Sequence, residues 1–365
     1  MFKFLNLKPK SFGLDISDLS LKISKLEKKG EGFDLVSFGD FPIKPGLIKD
    51  GEIRKEKEVA KIIRQSLDKV HGKKINEKNV IVSLPEKKAF LQVIQMPLIS
   101  KDDLKSAVIY EAENYIPMPI EDVYLDSQII PSTQTRPDHY DVLIVALPKK
   151  IVETYISCLQ MAGLIPTVLE IESLSIARAL IKNERTDFPL LIIDLGETRT
   201  SFIIYSGGSI RFTASIPISS QLFDEAISQT LKVDSQEAKK LKIKYGLHKE
   251  TKNGKMVFEA LVPSVTDLLE QIKIYLDYYK NHTSHEHLNS NIKGVKKVLL
   301  CGGGSNLEGL SNFLSKELKM PVEFGNPWVN ILPKNKIKIA KMSLERSLSF
   351  ASSLGLSLRG VKEER

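Results

Sequence analysis

The chain has 365 residues, and its hydrophobic fraction of 42% and charged fraction of 27% are those of an ordinary globular protein of two or more domains. Its apolar runs last about five to seven residues, far below the roughly 20 that cross a bilayer, and the first residues lack the apolar core of a signal peptide. The net charge of +8 comes from lysines mixed with Glu and Asp, which favours a solvated surface over a nucleic-acid face. Cys158 and Cys301 provide neither a disulfide framework nor a zinc spacing, so we expect a cytoplasmic protein.

The first 84 residues alternate between strands and turns around one helix. Apolar runs predict strands at "FGLDI", "LKISKLE" and "FDLVSFGDF", and later at "NVIVSLP". Apolar residues at helical spacing predict a helix in "KEKEVAKIIRQSLDKV". This pattern predicts a mixed sheet with one covering helix.

Residues 85–150, which we call the insert, have a cycle of their own. The order is a strand, "KAFLQVIQMP", a helix, "SKDDLKSAVIYEAENYI", and two strands, "VYLDSQIIP" and "YDVLIVALP". Ser100 is a predicted N-cap of the helix. The insert is therefore predicted to be a small α+β subdomain.

The remaining elements repeat the opening pattern. Two helices, "KKIVETYISCLQMAGL" and "ESLSIARALIKN", flank the strand "IPTVLEI", and strand–turn–strand returns after Pro189. Helices are predicted at "LFDEAISQTL", "SQEAKKLKIKYG" and "VPSVTDLLEQIKIYLDYYKNH". The strand "VKKVLLCGGG", the helix "LEGLSNFLSKEL", the strand "MPVEF" and one helix, "LERSLSFASSLGLSLRG", complete the chain.

Two hairpins about 180 residues apart resemble each other, which suggests two similar lobes. Each runs from an apolar strand through an Asp and a short polar turn into a second strand. In this alignment Asp15 matches Asp194, Ser17 matches Gly196, Leu19 matches Thr198 and Leu21 matches Thr200.

Such turns offer the groups that bind a phosphate chain. Backbone N–H groups and small hydroxyls of a tight turn cradle phosphate oxygens. The carboxylates of Asp15 and Asp194 suit Mg²⁺, which bridges carboxylates to phosphates and keeps several waters. Further phosphate contacts are predicted at Ser17, Ser20 and Lys22 in the first turn and at Gly196, Thr198 and Thr200 in the second.

A third element is the glycine run of "VLLCGGGSNLEGL", between a strand and a helix. Glycines at such a point let the backbone approach a flat ligand closely. Leu307 stands where the dinucleotide fingerprint G-x-G-x-x-G needs its last glycine, and no P-loop motif occurs. The glycine run therefore predicts a different kind of nucleotide site.

The two hairpins and the glycine run, in this order, resemble the actin-like ATPase superfamily, which includes actin, hexokinases, the large heat-shock chaperones, FtsA and PilM. The resemblance implies an α/β actin-like ATPase fold, in which two lobes of duplicated mixed β-sheet/helix subdomains bind ATP and Mg²⁺ and carry a small inserted α+β subdomain. It implies phosphate loops at residues 15–22 and 194–200 and an adenosine loop at Gly302, Gly303, Gly304 and Ser305. Glu172 would polarise the attacking water, and Glu270 and Lys273 would contact the base or ribose.

The same resemblance implies a division of the chain. The first lobe would comprise residues 1–84, with the first phosphate loop, and 151–188, interrupted by the insert at 85–150. The second lobe would comprise a core at 189–225, with the second phosphate loop, a small helical subdomain at 226–290 and a core with the adenosine loop at 291–345. Residues 346–365 would form a C-terminal helix that returns to the first lobe.

Within the superfamily the sequence is most similar to the PilM family of type IV pilus assembly, from about residue 11 to residue 360. The likeness rests on "YEAENYIPMPIEDVYLD", "IPTVLEIESLSIARAL", "FTASIPIS", "IKIYLDYYKN" and "SFASSLGLSLRG". It implies that the chain binds the cytoplasmic tail of a PilN-type inner-membrane protein beside the insert, with Tyr110 and Tyr115 as candidate contacts. The protein would be cytoplasmic and peripheral at the inner membrane, in a type IV pilus or type II secretion machine, where other pilus proteins or further copies of the chain are open as partners.

Two departures from the family pattern bear on turnover. The first loop reads "DISDLS", with Ser17 for a glycine and Asp18 for a serine, and "IPISS" stands where Ile-Pro-Ile-Gly-Gly is common. These changes predict weak nucleotide binding and at most slow hydrolysis. The alternatives are an FtsA-like polymer at the membrane, against which the charged end "GVKEER" argues, a catalytically inactive actin-fold scaffold, and a small-molecule kinase.

The residues alone leave several roles open. Glu172 is also a favourable carboxylate for the start of a helix, and Glu270 and Lys273 have the spacing of a simple ion pair. Tyr110 and Tyr115 could equally be core residues of the insert.

Overall fold

The computed structural model describes residues 9–131, 138–282, 294–332 and 342–363. Its first part contains the predicted strands and helix, together with three strands of two residues each. These elements are β1 (Ser11–Ile16), β2 (Ser20–Lys29), β3 (Gly32–Pro42), β4 (Ile48–Lys49), β5 (Glu52–Ile53), α1 (Glu56–Leu67), β6 (His71–Gly72) and β7 (Asn79–Leu84).

The insert forms a three-stranded antiparallel sheet with a helix on one face, as predicted. Leu104, Val108 and Ala112 of the helix pack against the apolar face of the sheet. Ser100 caps the helix by accepting a hydrogen bond from the Asp103 N–H at 3.2 Å. The elements are β8 (Phe90–Pro97), α2 (Lys101–Ala112), β9 (Val123–Ile129) and β10 (His139–Pro148), and the strand order is β8-β10-β9.

The chain then returns to the first sheet through α3 (Lys149–Met161), β11 (Ile165–Ile171) and α4 (Glu172–Leu180). The completed sheet has the order β11-β7-β1-β2-β3-β6. Every residue of β1 is buried, because this strand lies between β2 and β7 with side chains packed on both of its faces. This sheet and its helices form the first lobe.

The second lobe repeats this design. Its sheet has the order β14-β13-β12-β15-β16, which matches β3-β2-β1-β7-β11 position by position and direction by direction. The elements are β12 (Leu190–Leu195), β13 (Thr200–Ser206), β14 (Ser209–Ile216), α5 (Ser220–Leu231), α6 (Ser235–Tyr245), α7 (Lys252–His282), β15 (Lys297–Cys301), α8 (Leu310–Leu318) and β16 (Val322–Phe324).

Two helices differ from the prediction. The sequence predicts that α7 begins at Val262, next to a proline, whereas the helix runs through Pro263 for 31 residues. Pro263 removes one backbone hydrogen bond, but Val257 and Leu261 before it and Val265 after it continue one buried face, whose packing outweighs the loss. The single helix predicted at the end of the chain is two, α9 (Leu344–Leu348) and α10 (Ala351–Glu363).

The helices α4 and α10 cross between the two lobes. α10 packs on β1, β2 and β7 of the first lobe, and α4 packs on β13 and β14 of the second. A side chain at Gly355 would put its Cβ 1.9 Å from the Ser175 carbonyl oxygen, so glycine is required where the helices touch. The packing of α10 is consistent with the predicted return of the C-terminal helix to the first lobe, which stays a prediction. The other subdomain boundaries stay predictions, and the boundary at residues 290 and 291 lies outside the described residues.

Candidate functional site

A cavity of about 570 Å³ lies between the two lobes. The two loops between paired strands, the glycine run and the start of α4 all reach it. Most of the residues predicted from the sequence as nucleotide contacts line it: Asp15, Ser17, Ser20, Lys22, Glu172, Asp194, Gly196, Thr198, Gly302, Gly303 and Gly304.

The two hairpins are structural repeats of one another. Asp15 pairs with Lys22 across the first, and Asp194 pairs with Ser201 across the second. Each turn is closed by one backbone hydrogen bond of 2.9 Å, from residue 17 to residue 20 and from residue 196 to residue 199. The sequence alignment of the two hairpins, with Asp15 matched to Asp194, therefore agrees with the strand pairing in the structure.

The first loop satisfies its own polar groups. Asp15 is buried, and one carboxylate oxygen accepts hydrogen bonds from the hydroxyls of Ser83 at 2.8 Å and Ser352 at 2.9 Å. The hydroxyls of Ser17 and Ser20 lie 2.9 Å apart, and Lys22 Nζ donates to the latter at 2.6 Å. The cation of Lys22 is thus held at the cavity.

Asp18, which departs from the family pattern, turns toward a neighbouring hairpin. Its two carboxylate oxygens accept the backbone N–H groups of Asp50 at 3.0 Å and Gly51 at 2.8 Å. These two residues form the turn between β4 and β5. The negative charge of Asp18 therefore binds backbone donors of the first lobe.

The second loop is tightly built around Asp194. At Gly302, φ is +82°, and an added Cβ would lie 2.5 Å from both Asp194 Oδ1 and the Leu195 carbonyl oxygen. An added Cβ at Gly196 would lie 2.8 Å from the Arg199 carbonyl oxygen. Glycine is therefore needed at position 302 for the glycine run to meet the loop, and at position 196 for the loop to close its own turn.

The charges at the cavity repel one another. Burial and the nearby charge of Asp15 raise the pKa of Asp194 to about 6, and Lys22 opposes this rise. Burial and the charges of Asp15 and Asp194 raise the pKa of Glu172 well above its ordinary value. A divalent cation between the two loops would relieve this repulsion, so the side chains fit Mg²⁺.

Four predicted nucleotide contacts do not line the cavity. The Thr200 hydroxyl donates to the Ile218 carbonyl at 2.7 Å inside the core, and the Ser305 hydroxyl donates to the Gly302 carbonyl at 2.7 Å. Glu270 and Lys273 lie exposed on α7. Their predicted roles as nucleotide contacts stay predictions that this geometry does not support.

Other residues reach the cavity that the sequence did not point out. Arg199 is a charged residue within the second loop itself. The fold brings in others on different elements: Asp50, Glu86, Lys87, Asp224 and Lys239. Lys239 is on α6, so α6 contributes a residue to the cavity where Glu270 and Lys273 of α7 were expected to do so. The charge-rich sequence of α6 resembles that of any solvated helix, so it did not point to Lys239. Asp224 on α5 lies four residues after the "IPISS" turn, and this closeness to a predicted turn is the one local indication of a cavity residue.

Within residues 9–131, 138–282, 294–332 and 342–363, no three or more His, Cys, Asp or Glu side chains form a cluster that could hold a metal ion, and no helix is long and apolar enough to cross a membrane. A magnesium ion held by Asp15 and Asp194 would be completed by phosphate oxygens and water.

Known structures share this architecture over nearly the whole chain. A protein chain of a PilM-PilN type IV pilus biogenesis complex is 25% identical, with a TM-score of 0.78 over 96% of this chain and 98% of that chain. MreB 5 of Spiroplasma citri bound to AMPPNP is 12% identical, with a TM-score of 0.58 over 98% of each. The predicted actin-like fold is confirmed.

Curated relatives and a family model give the family. The cell division protein FtsA of Pseudomonas aeruginosa is 26% identical over 221 residues, which cover 57% of this chain and 50% of FtsA. The chain thus spans about half the length of the curated relatives it matches. The model of the type IV pilus assembly protein PilM matches residues 13–361. The chain belongs to the PilM family.

Proposed function

We propose that this chain is an ATP-binding, actin-like scaffold of a type IV pilus or related type II secretion machine that binds the cytoplasmic tail of a PilN-type inner-membrane protein. The observation that carries this proposal is the match, over 96% of the chain, to a protein whose known structure is that of a PilM-PilN type IV pilus biogenesis complex. The PilM family model, which spans residues 13–361, supports the same role.

The nucleotide site is the cavity between the lobes. Asp15 and Asp194 would hold Mg²⁺, which supplies positive charge between the carboxylates and the phosphates when bound. The backbone N–H groups of the two loops and the Lys22 ammonium would bind phosphate oxygens, and the glycine run would lie against the adenosine. MreB 5, with the same fold, is bound to AMPPNP.

The rate of hydrolysis should be low. Glu172 lines the cavity at the start of α4, where its carboxylate could orient a water molecule. A general base acts in its ionised form, and burial and the neighbouring carboxylates raise the pKa of Glu172 and so disfavour that form. The chain should therefore bind ATP and hydrolyse it slowly at most.

The insert is the proposed docking site for the partner. Large apolar side chains there are exposed, including Tyr110 at 75% and Tyr115 at 44%, which favours a binding role for these two over a core role. Leu98, Ile109 and Tyr124 of the insert are also exposed. A partner anchored in the inner membrane would hold this protein at the cytoplasmic face of that membrane.

Calorimetric titration of the purified chain tests both halves of the proposal. Wild-type protein should bind ATP with Mg²⁺ and, separately, a synthetic peptide of the N-terminal tail of the PilN-type protein from the same organism. Asp194→Ala should weaken ATP binding at least ~10-fold, about 1.4 kcal/mol, because the metal loses one carboxylate, and should leave peptide binding unchanged. The Tyr110→Ala/Tyr115→Ala variant should weaken peptide binding alone.

Unchanged ATP affinity in Asp194→Ala would show that the second loop is not the phosphate site. If the wild-type chain binds the peptide but no ATP, the chain is a scaffold that has kept only the fold of an ATPase. If it binds no peptide, the partner assignment is wrong.

A further inference from the structure

The edge strand β14 of the second lobe has two chemically different faces. Phe212, Ala214 and Ile216 pack into the core of the second lobe. Thr213 and Ser215 alternate with them and therefore share the opposite face. Arg211 lies at an irregularity in the pairing with β13, and its side chain contacts the insert. This second face runs along the first lobe and its insert, from β8 and β10 to the turn that follows β7.

At one end of this face a buried ion pair joins the second lobe to the insert. Arg211 Nη1 lies 2.8 Å from Asp141 Oδ2, and the two side chains are only 8% and 6% exposed. The Arg211 Nε–H also donates to the Ser206 carbonyl at 3.2 Å, and His139 Nε2 lies 3.2 Å from the other oxygen of Asp141. Both charges are thus fixed by several contacts.

In the middle of the face, β14 meets the start of α4. The carboxylate of Glu86 is buried after β7, and the nearby Thr213 hydroxyl opposes the rise that burial causes in its pKa. Glu86 Oε2 also accepts the backbone N–H of Ser173 at 3.2 Å. Ser173 follows Glu172, so this contact fixes the helix end that lines the cavity.

At the other end, β14 holds the second phosphate loop. Arg199 Nε donates to Ser215 Oγ at 2.8 Å, and Arg199 Nη2 donates to the Ser215 carbonyl at 3.1 Å. Arg199 Nη1 lies 3.5 Å from Asp50 of the first lobe. Asp50 is in the turn that Asp18 of the first phosphate loop binds. Both phosphate loops are therefore connected to this end of the strand.

We propose that β14 couples the peptide site on the insert to the nucleotide site in the cleft. The buried Arg211–Asp141 ion pair, which we call the lock, would hold the insert against the second lobe. This inference rests on the proposed function, because it concerns the two ligands of that function. A guanidinium or carboxylate that stays buried after its partner has moved is strongly unfavourable, because its charge is left without compensation. A partly opened junction is therefore disfavoured, and the insert and second lobe are either docked or fully apart.

The reciprocal effect of the two ligands follows from this two-state junction. ATP that closes the lobes around the phosphate loops favours the docked insert, and a peptide that binds one arrangement of the insert favours one arrangement of the cleft. By linkage, each ligand must then change the affinity of the other by the same factor.

The test is titration of the full chain with ATP and Mg²⁺, with and without saturating tail peptide. In wild-type protein the peptide should change the Kd for ATP by about 5-fold or more, the lower end of ordinary allosteric coupling. The variant Asp141→Asn/Arg211→Gln, which we call the lock variant, removes both buried charges together. In this variant the ratio of the two Kd values for ATP, with and without peptide, should fall to near one, while each ligand alone binds within about 3-fold of wild type.

A matched control is the pair Lys25–Glu77, which lies within the first lobe with the same 2.8 Å separation. Lys25→Gln/Glu77→Gln should keep the wild-type ratio. If the charge-free lock variant does not fold, Thr213→Val, which removes only a hydroxyl from the middle contact, should at least halve the ratio.

A wild-type ratio retained in the lock variant or in Thr213→Val overturns the coupling role of β14. Wild-type protein that binds both ligands without any effect of one on the other overturns the inference and leaves the proposed function standing. Wild-type protein that binds neither ligand overturns the proposed function itself.

Discussion

The two predicted phosphate loops have one backbone design and two different electrostatic environments. Their strand registers match, and both turns are closed by the same 2.9 Å hydrogen bond. Asp15 is held by two serine hydroxyls at 2.8 and 2.9 Å, whereas Asp194 meets the thiol of Cys301 at 3.7 Å, a weaker donor. Duplication has thus produced one carboxylate that stabilises the fold and one whose charge is poorly stabilised by the protein alone.

The difference comes from single residues at equivalent places. Ser83 follows Val82, which pairs with Leu14, so it stands beside Asp15 on the neighbouring parallel strand. Cys301 pairs directly with Asp194 at the same place in the second sheet. A hydroxyl stabilises a neighbouring carboxylate better than a thiol does, so this Ser-to-Cys difference leaves the charge of Asp194 less stabilised by the protein.

The largest expected difference between the two loops is in the stability lost when the Asp of each loop is replaced by Ala. Asp15→Ala leaves the buried hydroxyls of Ser83 and Ser352 without this acceptor, which should lower the free energy of unfolding by about 2–5 kcal/mol. Asp194→Ala should lower it by less than about 1 kcal/mol, since a poorly stabilised charge is removed. Urea unfolding at neutral pH measures both. Asp15→Asn, which keeps an acceptor oxygen, is the control, and equal losses in the two Ala variants would contradict the comparison.

The pH dependence of stability should show the environment of Asp194. Its pKa is about 6 in the folded protein against an ordinary value of 3.8, so the folded state binds this proton more tightly than the unfolded chain does. The free energy of unfolding should therefore fall as pH rises from about 4 to about 6, by on the order of 3 kcal/mol from this group. Urea unfolding across this range should give a smaller fall for Asp194→Asn.

Glu86 and Glu172 also have raised pKa values and contribute with the same sign, so the difference between wild type and Asp194→Asn reports on Asp194. Addition of Mg²⁺ and ATP should recover stability near pH 7 in wild-type protein alone. Parallel curves for the two proteins would rule out an unfavourable charge at Asp194.

The smallest effect should come from making the two loops alike. Cys301→Ser gives Asp194 the kind of donor that Ser83 gives Asp15. One added hydrogen bond to a charged group should stabilise the ionised form by about 1–2 kcal/mol and so lower the pKa of Asp194. The pH-dependent fall in stability should then shift to lower pH and become shallower. If the free energy of unfolding of Cys301→Ser falls over the same pH range as in wild-type protein, the thiol is not what distinguishes the two loops.

Much of the fold was predictable because its signals are local. The two strand–turn–strand patterns, the insert with its Ser100 cap and the glycine run each occupy a short window of sequence. The alignment of Asp15 with Asp194 reproduced the structural register without a shift. The start of α7 was not predictable from Pro263 alone, because packing on both sides of the proline decides whether the helix continues.

The sequence by itself determined the two lobes, the insert, the two loops and eleven of the residues that line the cavity, since hydrophobic periodicity and turn chemistry act between near neighbours. The tertiary structure alone decided which charges meet. Ser352 is 337 residues from the Asp15 it binds, and Arg211 is 70 residues from Asp141. It also brought Lys239 of α6, and neither Glu270 nor Lys273 of α7, to the cavity. Charged surface helices look alike in sequence, and only the packing of their apolar faces fixes which polar face turns toward the site.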